Sequence, residues 1–218
     1  MEFVERKVSK ESISKRKLVC GVGINDADYV VQPMINRKRV WCPYFLQWKN
    51  LIEGNYGKRA VASGDDYEVY RPWIRFSVFR EWMKRQDWKD KSLDKDIILP
   101  GNKTYGPDVC AFVTHRVNDL MTPCKSRRLP RGVHRKSAGV YYAGVAYHED
   151  SGYVKSKSVR FNTIREASEY WLDYKEHTVI EVCTTLTDSR VIKGLMLHMK
   201  LIREESLKCV LIIEAEGL

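Results

Sequence analysis

The chain has 218 residues, 44% of them hydrophobic and 11% aromatic, ample for one large packed domain or two small ones with appendages. No stretch approaches the ~18 apolar residues that a membrane span needs, and the charged start MEFVERKVSKESISKRK lacks the apolar segment of a secretory signal. Lysine and arginine number 38 against 28 aspartates and glutamates, a net charge of +10 that favours polyanionic partners, nucleic acid first.

Residues 1–17 read as a loose arm, helical in part. Leu18 to Tyr29 (LVCGVGINDADY) reads as a strand entering a turn; its GxG lacks the third glycine and the following helix of a dinucleotide fingerprint. From Pro43 the pattern turns helical. Phe45, Trp48, Leu51 and Ile52 fall at i, i+3, i+6 and i+7 on one face, and Gly54 and Gly57 close it. Residues 57–69 read as a loop. A second helix is expected from Trp73 to Trp88, with Phe76, Phe79, Trp82 and Met83 in one apolar stripe. Such a stripe is core rather than a ligand box. The six cysteines (Cys20, Cys42, Cys110, Cys124, Cys183, Cys209) are scattered with no CxxC pair, so reduced thiols are expected rather than disulfides or a zinc site.

Leu93 to Leu120 (LDKDIILPGNKTYGPDVCAFVTHRVNDL) is where the chemistry concentrates. Asp94 and Asp96 alternate along a short extended segment, Gly101 and Asn102 break it, Pro107 and Asp108 make a second turn, and CAFV leads into His115 and Asn118. The order is strand, loop, strand, helix. A hard divalent cation takes carboxylate and amide oxygens held in this way; the competing reading is a polar hairpin with solvated carboxylates. His115 lies three residues before Asn118, so on a helix the two share a face.

Pro123 to Pro130 (PCKSRRLP) is a basic connector and a domain boundary. Three strands follow at 131–136, 140–147 and 155–161, with Gly139 and Gly152 in the turns. Thr163 and Glu166 form a capping box. A helix of about a dozen residues is expected after it, with Ala167, Tyr170, Trp171 and Tyr174 inward. The free face of the sheet is expected to carry Arg135, Tyr142 or Tyr141, and Arg160. Between residues 125 and 160 there are nine basic side chains and two acidic ones, which suits a nucleic-acid groove. The tail reads as a strand or loop (VIEVCTTLT), a helix (IKGLMLHMKLIREE) and a short apolar end (CVLIIEA), a further strand.

Two series of motifs carry a resemblance. GVGINDADY, WCPYFLQWKN, FSVFREWM, LDKDIILPGNKTYGPDVCAFV and VNDL, spread over residues 18–122, resemble the HNH-type homing endonucleases of T7-like phages. LPRGVHRKSAGVYYAGVAY and RFNTIREASEYWLDYK, over residues 129–175, resemble the ethylene-response-factor DNA-binding domain of plants, which is often appended to such endonucleases. The family glycine after the third strand's hydrophobe is absent here, with Arg160 near that point. The resemblance implies an α+β chain: a ββα-metal (HNH-like) nuclease core braced by helices, plus a small three-stranded sheet with one helix. It divides the chain into an arm (1–17), a nuclease domain (18–124), a DNA-binding domain (125–176) and a C-terminal extension (177–218).

The resemblance further implies one Mg²⁺ (or Mn²⁺), hydrolysis of DNA phosphodiester bonds, double-stranded DNA as partner and a host-cell cytoplasmic setting. Asp94 or Asp96 becomes the first-strand metal ligand, Asn118 the helix ligand, and Asn102 the loop amide that orients water. The family's first-strand histidine is missing, and Lys95 occupies the place between the aspartates. Lysine, with an unperturbed pKa of ~10.4, needs strong desolvation to act as a base, so a phosphate contact is its competing role. Asp96 or His115 are the other candidate bases. Arg131, Arg135, Lys136, Tyr142, Lys157 and Arg160 are expected at the DNA, one or two of them reading bases. The alternatives are a catalytically degenerate DNA-binding regulator or counter-defence factor, and a factor whose basic face meets an acidic host protein.

Overall fold

A computed structural model describes residues 2–64, 67–121, 128–148 and 154–216. The chain is α+β and divides into two compact units, Met1–Val113 and Thr114–Leu218. Among the described residues no helix is long and apolar enough to cross a membrane.

In the first unit a short helix, α1 (Lys10–Ser14), is capped by the Ser9 hydroxyl. The expected strand at 18–29 is instead a tight turn closed by single bridges, Val19 to Gly23 and Ile24 to Arg75. Cys20 and Gly21 both take positive φ (51° and 77°), which reverses the chain before a strand can form. A Cβ on Gly23 would lie 3.0 Å from the Trp48 ring, so this glycine of the GxG serves close packing. Strands β1 (Met34–Ile35) and β2 (Lys38–Arg39) form a hairpin through Asn36 and Arg37, both at positive φ as a two-residue hairpin loop requires.

Helix α2 (Pro43–Tyr56) starts on its proline and buries Phe45, Trp48, Leu51 and Ile52, the four residues its periodicity selects. Where a loop is expected, Lys58–Ser63 form α3, ended by Gly64 in the left-handed region. Its residues are good helix formers, but none is buried, so no apolar period marks it. Strand β3 (Glu68–Val69) follows. The expected helix from Trp73 is split: Arg71–Ile74 form a 3₁₀ turn, Arg75 is extended, and α4 spans Phe76–Met83. The Asp26 carboxylate accepts from the Ser77 N–H (2.8 Å) and hydroxyl (2.7 Å), anchoring the first turn of α4. Phe76, Phe79, Trp82 and Met83 are buried. The core is aromatic: Trp48 donates its indole N–H to the Trp73 carbonyl at 2.7 Å, and the Trp73 and Trp82 rings lie 4.5 Å apart.

Strand β4 (Ser92–Asp94) precedes β5 (Thr104–Tyr105), which runs parallel to β3. Strand β6 (Ala111–Val113) pairs antiparallel with β4, Leu93 opposite Phe112 and Asp94 opposite Ala111.

The second unit opens with α5 (His115–Leu120), capped by Thr114. The connector expected at 123–130 lies in part outside the described residues, as do Cys124 and the expected Gly152 turn. Strands β7 (Val133–Ser137), β8 (Val140–His148) and β9 (Val154–Phe161) form one antiparallel sheet in sequence order. Helix α6 (Ile164–Cys183) begins with the capping box of Thr163 and Glu166 and runs for 20 residues, longer than its expected dozen. Helix α7 (Ser189–Ala215) runs for 27. The expected tail strands are therefore helical. VIEVC is the end of α6, with Val179 and Val182 buried in line with Leu172; CVLIIEA is the end of α7, with Val210 and Ile213 buried against Val133, Tyr141 and Ala143 of the sheet. Burial decides here over the β preference of branched residues.

A carboxylate pair and a basic sheet

Asp94 is the last residue of β4. Its Oδ1 accepts the backbone N–H of Asp96 (2.9 Å) and of Ile97 (2.6 Å), which turns the chain out of the strand. Buried Ile97 anchors that turn. Asp96 thus lies in the turn, not further along an extended segment, and the two side chains converge rather than alternate. The Asp94 carboxyl also meets the Asp96 side chain in a hydrogen bond. Burial raises the pKa of Asp94; the Ile97 N–H opposes the rise, and the charge of Asp96 adds to it.

Lys95 reaches one member of this pair. Its Nζ is 3.2 Å from Asp96 Oδ2, 4.5 Å from the centroid of the Tyr67 ring and 6.0 Å from that of Tyr105. Its side chain is only 12% exposed. Burial pushes the Tyr105 hydroxyl and the Cys110 thiol each up to about 12. Asn102 bonds to backbone: its amide nitrogen donates to the carbonyls of Lys95 (2.6 Å) and Thr104 (2.7 Å), and its oxygen accepts the Thr104 N–H at 3.2 Å. It braces the loop from 95 to 104; both N–H groups of its amide are taken, and its oxygen keeps one lone pair.

Asp94, Lys95, Asp96 and Asn102 therefore come together in the first unit. His115, exposed, and Asn118, half-buried, stand on α5 in the second. Among the described residues no three His, Cys, Asp or Glu side chains gather as a metal-holding group. The chemistry of the donors present still fits a hard cation. Two carboxylates within hydrogen-bonding reach must share a proton or be bridged by positive charge, and Mg²⁺ is commonly held by one or two carboxylates completed by water and substrate phosphate.

The sheet is read from its register. Directly opposed residues share a face, and neighbours along a strand alternate. His134, Tyr142 and Arg160 are opposed across the three strands and form one row on the outer face. Gly144 stands opposite Ser158 and Ala146 opposite Ser156, so small residues floor the rest of that face. A Cβ on Gly144 would lie 3.5 Å from the His134 ring, which puts the imidazole beside that floor. The other face carries Val133, Tyr141, Ala143 and Phe161, packed with Ile164, Ala167 and Tyr170 of α6.

This sorts the expected DNA contacts. Tyr142 and Arg160 lie on the outer row; Tyr141 is buried. Arg135 is opposed to Tyr141, with its guanidinium 5.9 Å from that ring, so register assigns it to the inner rows although it stays exposed. Lys157, opposed to Val145, follows the same parity. Lys136 is the extra residue of a bulge between Arg135 and Ser137. Arg131 pairs with Glu205 of α7 at 3.2 Å. His134 was not singled out in the sequence; its alternation with Val133, opposite Tyr142, was the available signal.

Comparison of the chain with protein-family models, with curated proteins and with solved structures returns no match.

Proposed function

We propose that the protein is a divalent-metal-dependent DNA endonuclease, of the homing type its motifs resemble, with the three-stranded sheet as its DNA-positioning module. The observation that carries this reading is the Asp94–Asp96 carboxylate pair: a desolvated Asp94 hydrogen-bonded to a more open Asp96, with Lys95 beside it, in a chain of net charge +10. The strand order is a second support, since β4 pairs with β6 and a helix begins two residues after β6.

The chemistry that a bound Mg²⁺ or Mn²⁺ supplies at such a pair is positive charge for the scissile phosphate and the leaving oxygen. The chain's own residues do the rest. Asp94, fixed by two backbone N–H groups, and Asp96 are the oxygen donors that hold the ion. Asp96 accepts the proton of the attacking water. Lys95 is held beside Asp96 within reach of an incoming phosphate oxygen. Tyr142, Arg160 and His134 meet the duplex, and the low Gly144–Ser158 floor lets the groove approach the sheet. The roles of His115 and Asn118 rest on the resemblance alone.

The test is a supercoiled-plasmid assay with Mg²⁺, Mn²⁺ or EDTA beside a gel shift. The expected result is metal-dependent nicking or cutting that falls by at least ~100-fold, the usual scale for a lost catalytic group, in Asp94→Ala and in Asp96→Ala, with DNA retention unchanged. Pure protein that retains DNA but leaves the plasmid intact with every divalent metal would sink the nuclease reading. The second reading, a DNA-binding regulator, then takes over; the observation favouring it is that the Lys95 ammonium already answers the charge of Asp96.

A further inference from the structure

Helix α7 buries one face and leaves another open. Met196, Leu197, Leu201, Leu207, Leu211 and Ile212 are each 39–58% exposed, an unusual run of apolar side chains on one helix. Their spacing is symmetric about Glu204. Leu201 and Leu207 lie three residues to either side of it, Leu197 and Leu211 seven, Met196 and Ile212 eight; Lys200 and Lys208 lie four to either side. At 3.6 residues per turn these offsets keep all eight side chains within roughly 80° of the direction of Glu204. Lys200, Glu204 and Lys208 are exposed, and none of them forms an ion pair among the described residues.

We infer that this face is a homodimer interface, in which α7 of one copy lies antiparallel on α7 of a second copy about a two-fold axis through Glu204. An isologous contact requires a surface complementary to itself, and few helix faces meet that condition. Here the axis sets Leu201 against the partner's Leu207, Leu197 against the partner's Leu211, and Met196 against the partner's Ile212. It also sets each Glu204 between the partner's Lys200 and the partner's Lys208, so the lysines four residues to either side of Glu204 on its own helix are joined by two more across the axis. The other two occupants of such a face fit less well. A membrane surface calls for cations around the border of an apolar strip and no acid at its centre; here the acid is central. An acidic partner would oppose Glu204 with like charge and bring no cation to it, whereas about the two-fold axis each Glu204 faces the partner's Glu204 but is flanked by two lysines of the partner. A contact made by one helix pair lies at the small end of specific interfaces, so the dimer is in exchange with monomer at micromolar concentration.

The experiment is sedimentation equilibrium of the full chain across a wide concentration range, with crosslinking as its geometric arm. In the dimer Glu204→Cys sits on the axis, and mild oxidation joins two copies through it. Lys193→Cys, eleven residues from the axis, is more than ~30 Å from its own copy at 1.5 Å per residue and stays unjoined, as does the unsubstituted protein with its native thiols. Leu197→Glu with Leu211→Glu shifts the equilibrium to monomer by at least tenfold while circular dichroism and melting stay unchanged. A protein that is monomeric at hundreds of micromolar overturns the inference. So does crosslinking at 193 as fast as at 204, or recruitment of the chain to anionic vesicles as a monomer. None of these readouts depends on cleavage of DNA.

Discussion

Between Asp94 and Asp96 the chain carries a lysine whose ammonium lies 3.2 Å from Asp96 and 4.5 Å from the centroid of the Tyr67 ring. The aromatic face and the carboxylate hold it by the same electrostatics that would hold any cation there. On the proposed reading Lys95 and a divalent ion compete for Asp96. Lys95→Met removes the competitor, and Mn²⁺ affinity, measured by titration calorimetry or spin resonance, is expected to rise roughly tenfold, on the order of 1.4 kcal/mol. If Lys95 also meets phosphate, cleavage at saturating Mn²⁺ falls in the same variant. A second lysine tests burial by itself. Lys175 of α6 lines a cavity of ≈ 270 Å³ with Arg116, Asp119, Trp171 and Tyr174. Burial first, and then the charge of Arg131, lower its pKa from the ordinary 10.5. A lowered pKa in a base means that the unfolded chain binds more protons between the folded value and 10.5, so stability rises with pH across that window. Below the window the cost of the buried ammonium is present in full. Lys175→Met is expected to melt higher than the parent at neutral pH, and to show a smaller alkaline rise in melting temperature. Equal melting curves for the two proteins at all pH values would refute that account.

At the scale of elements, packing rather than propensity separates what could be read from the sequence from what could not. Helices α2 and α4 bury Phe45, Trp48, Leu51, Ile52, Phe76, Phe79, Trp82 and Met83, so their apolar period was legible. The capping box at Thr163 was legible because two side chains at fixed spacing define it. Helix α3 buries nothing and left no period to find. The run VIEVCTTLT reads as a strand or loop by composition, and the burial of Val179 and Val182 makes its first five residues the end of α6. At the candidate site the residue types were visible, but the partners were not: which carboxylate folds back on its own backbone, and that the Asn102 amide is consumed by carbonyls, are properties of the turn. The sheet's register depends on a bulge at Lys136 that no local pattern announces. One glycine shows how tightly the sheet and α6 are set. Gly132 has φ +72°, and a Cβ there would come within 2.0 Å of the Trp171 indole nitrogen. Gly132→Ala meets both backbone strain and overpacking, and is expected to destabilise the second unit by on the order of 3 kcal/mol. Denaturant unfolding followed by tryptophan fluorescence measures it. A loss below ~0.5 kcal/mol, the scale of an ordinary surface substitution, would mean that Trp171 moves away freely.

For the whole molecule, the excess of positive charge and the pair of negative charges are separate devices, and they can be separated by experiment. On the proposed reading, affinity for DNA arises from phosphate neutralisation and falls with salt in proportion to the phosphates contacted, with a logarithmic slope of about −0.9 per contact. Cleavage, on the proposed reading, depends on two carboxylates that add nothing to affinity and slightly oppose it. Asp94→Ala with Asp96→Ala is therefore expected to abolish cutting and leave the salt slope of binding unchanged. Lys136→Ala with Arg160→Ala, both exposed on the strands, is expected to reduce the slope by up to ~2 if both side chains meet phosphate, and to leave the cutting rate at saturating protein near that of the parent. Gel shifts at several salt concentrations and single-turnover cleavage give the two numbers. If the sheet pair changes cutting at saturation, the sheet does more than position the duplex. If the carboxylate pair changes the slope, the first unit contacts phosphate near Lys95, and the affinity arises from both units. A salt-independent affinity would point instead to a protein partner, because the charge of +10 would then be surface rather than recognition.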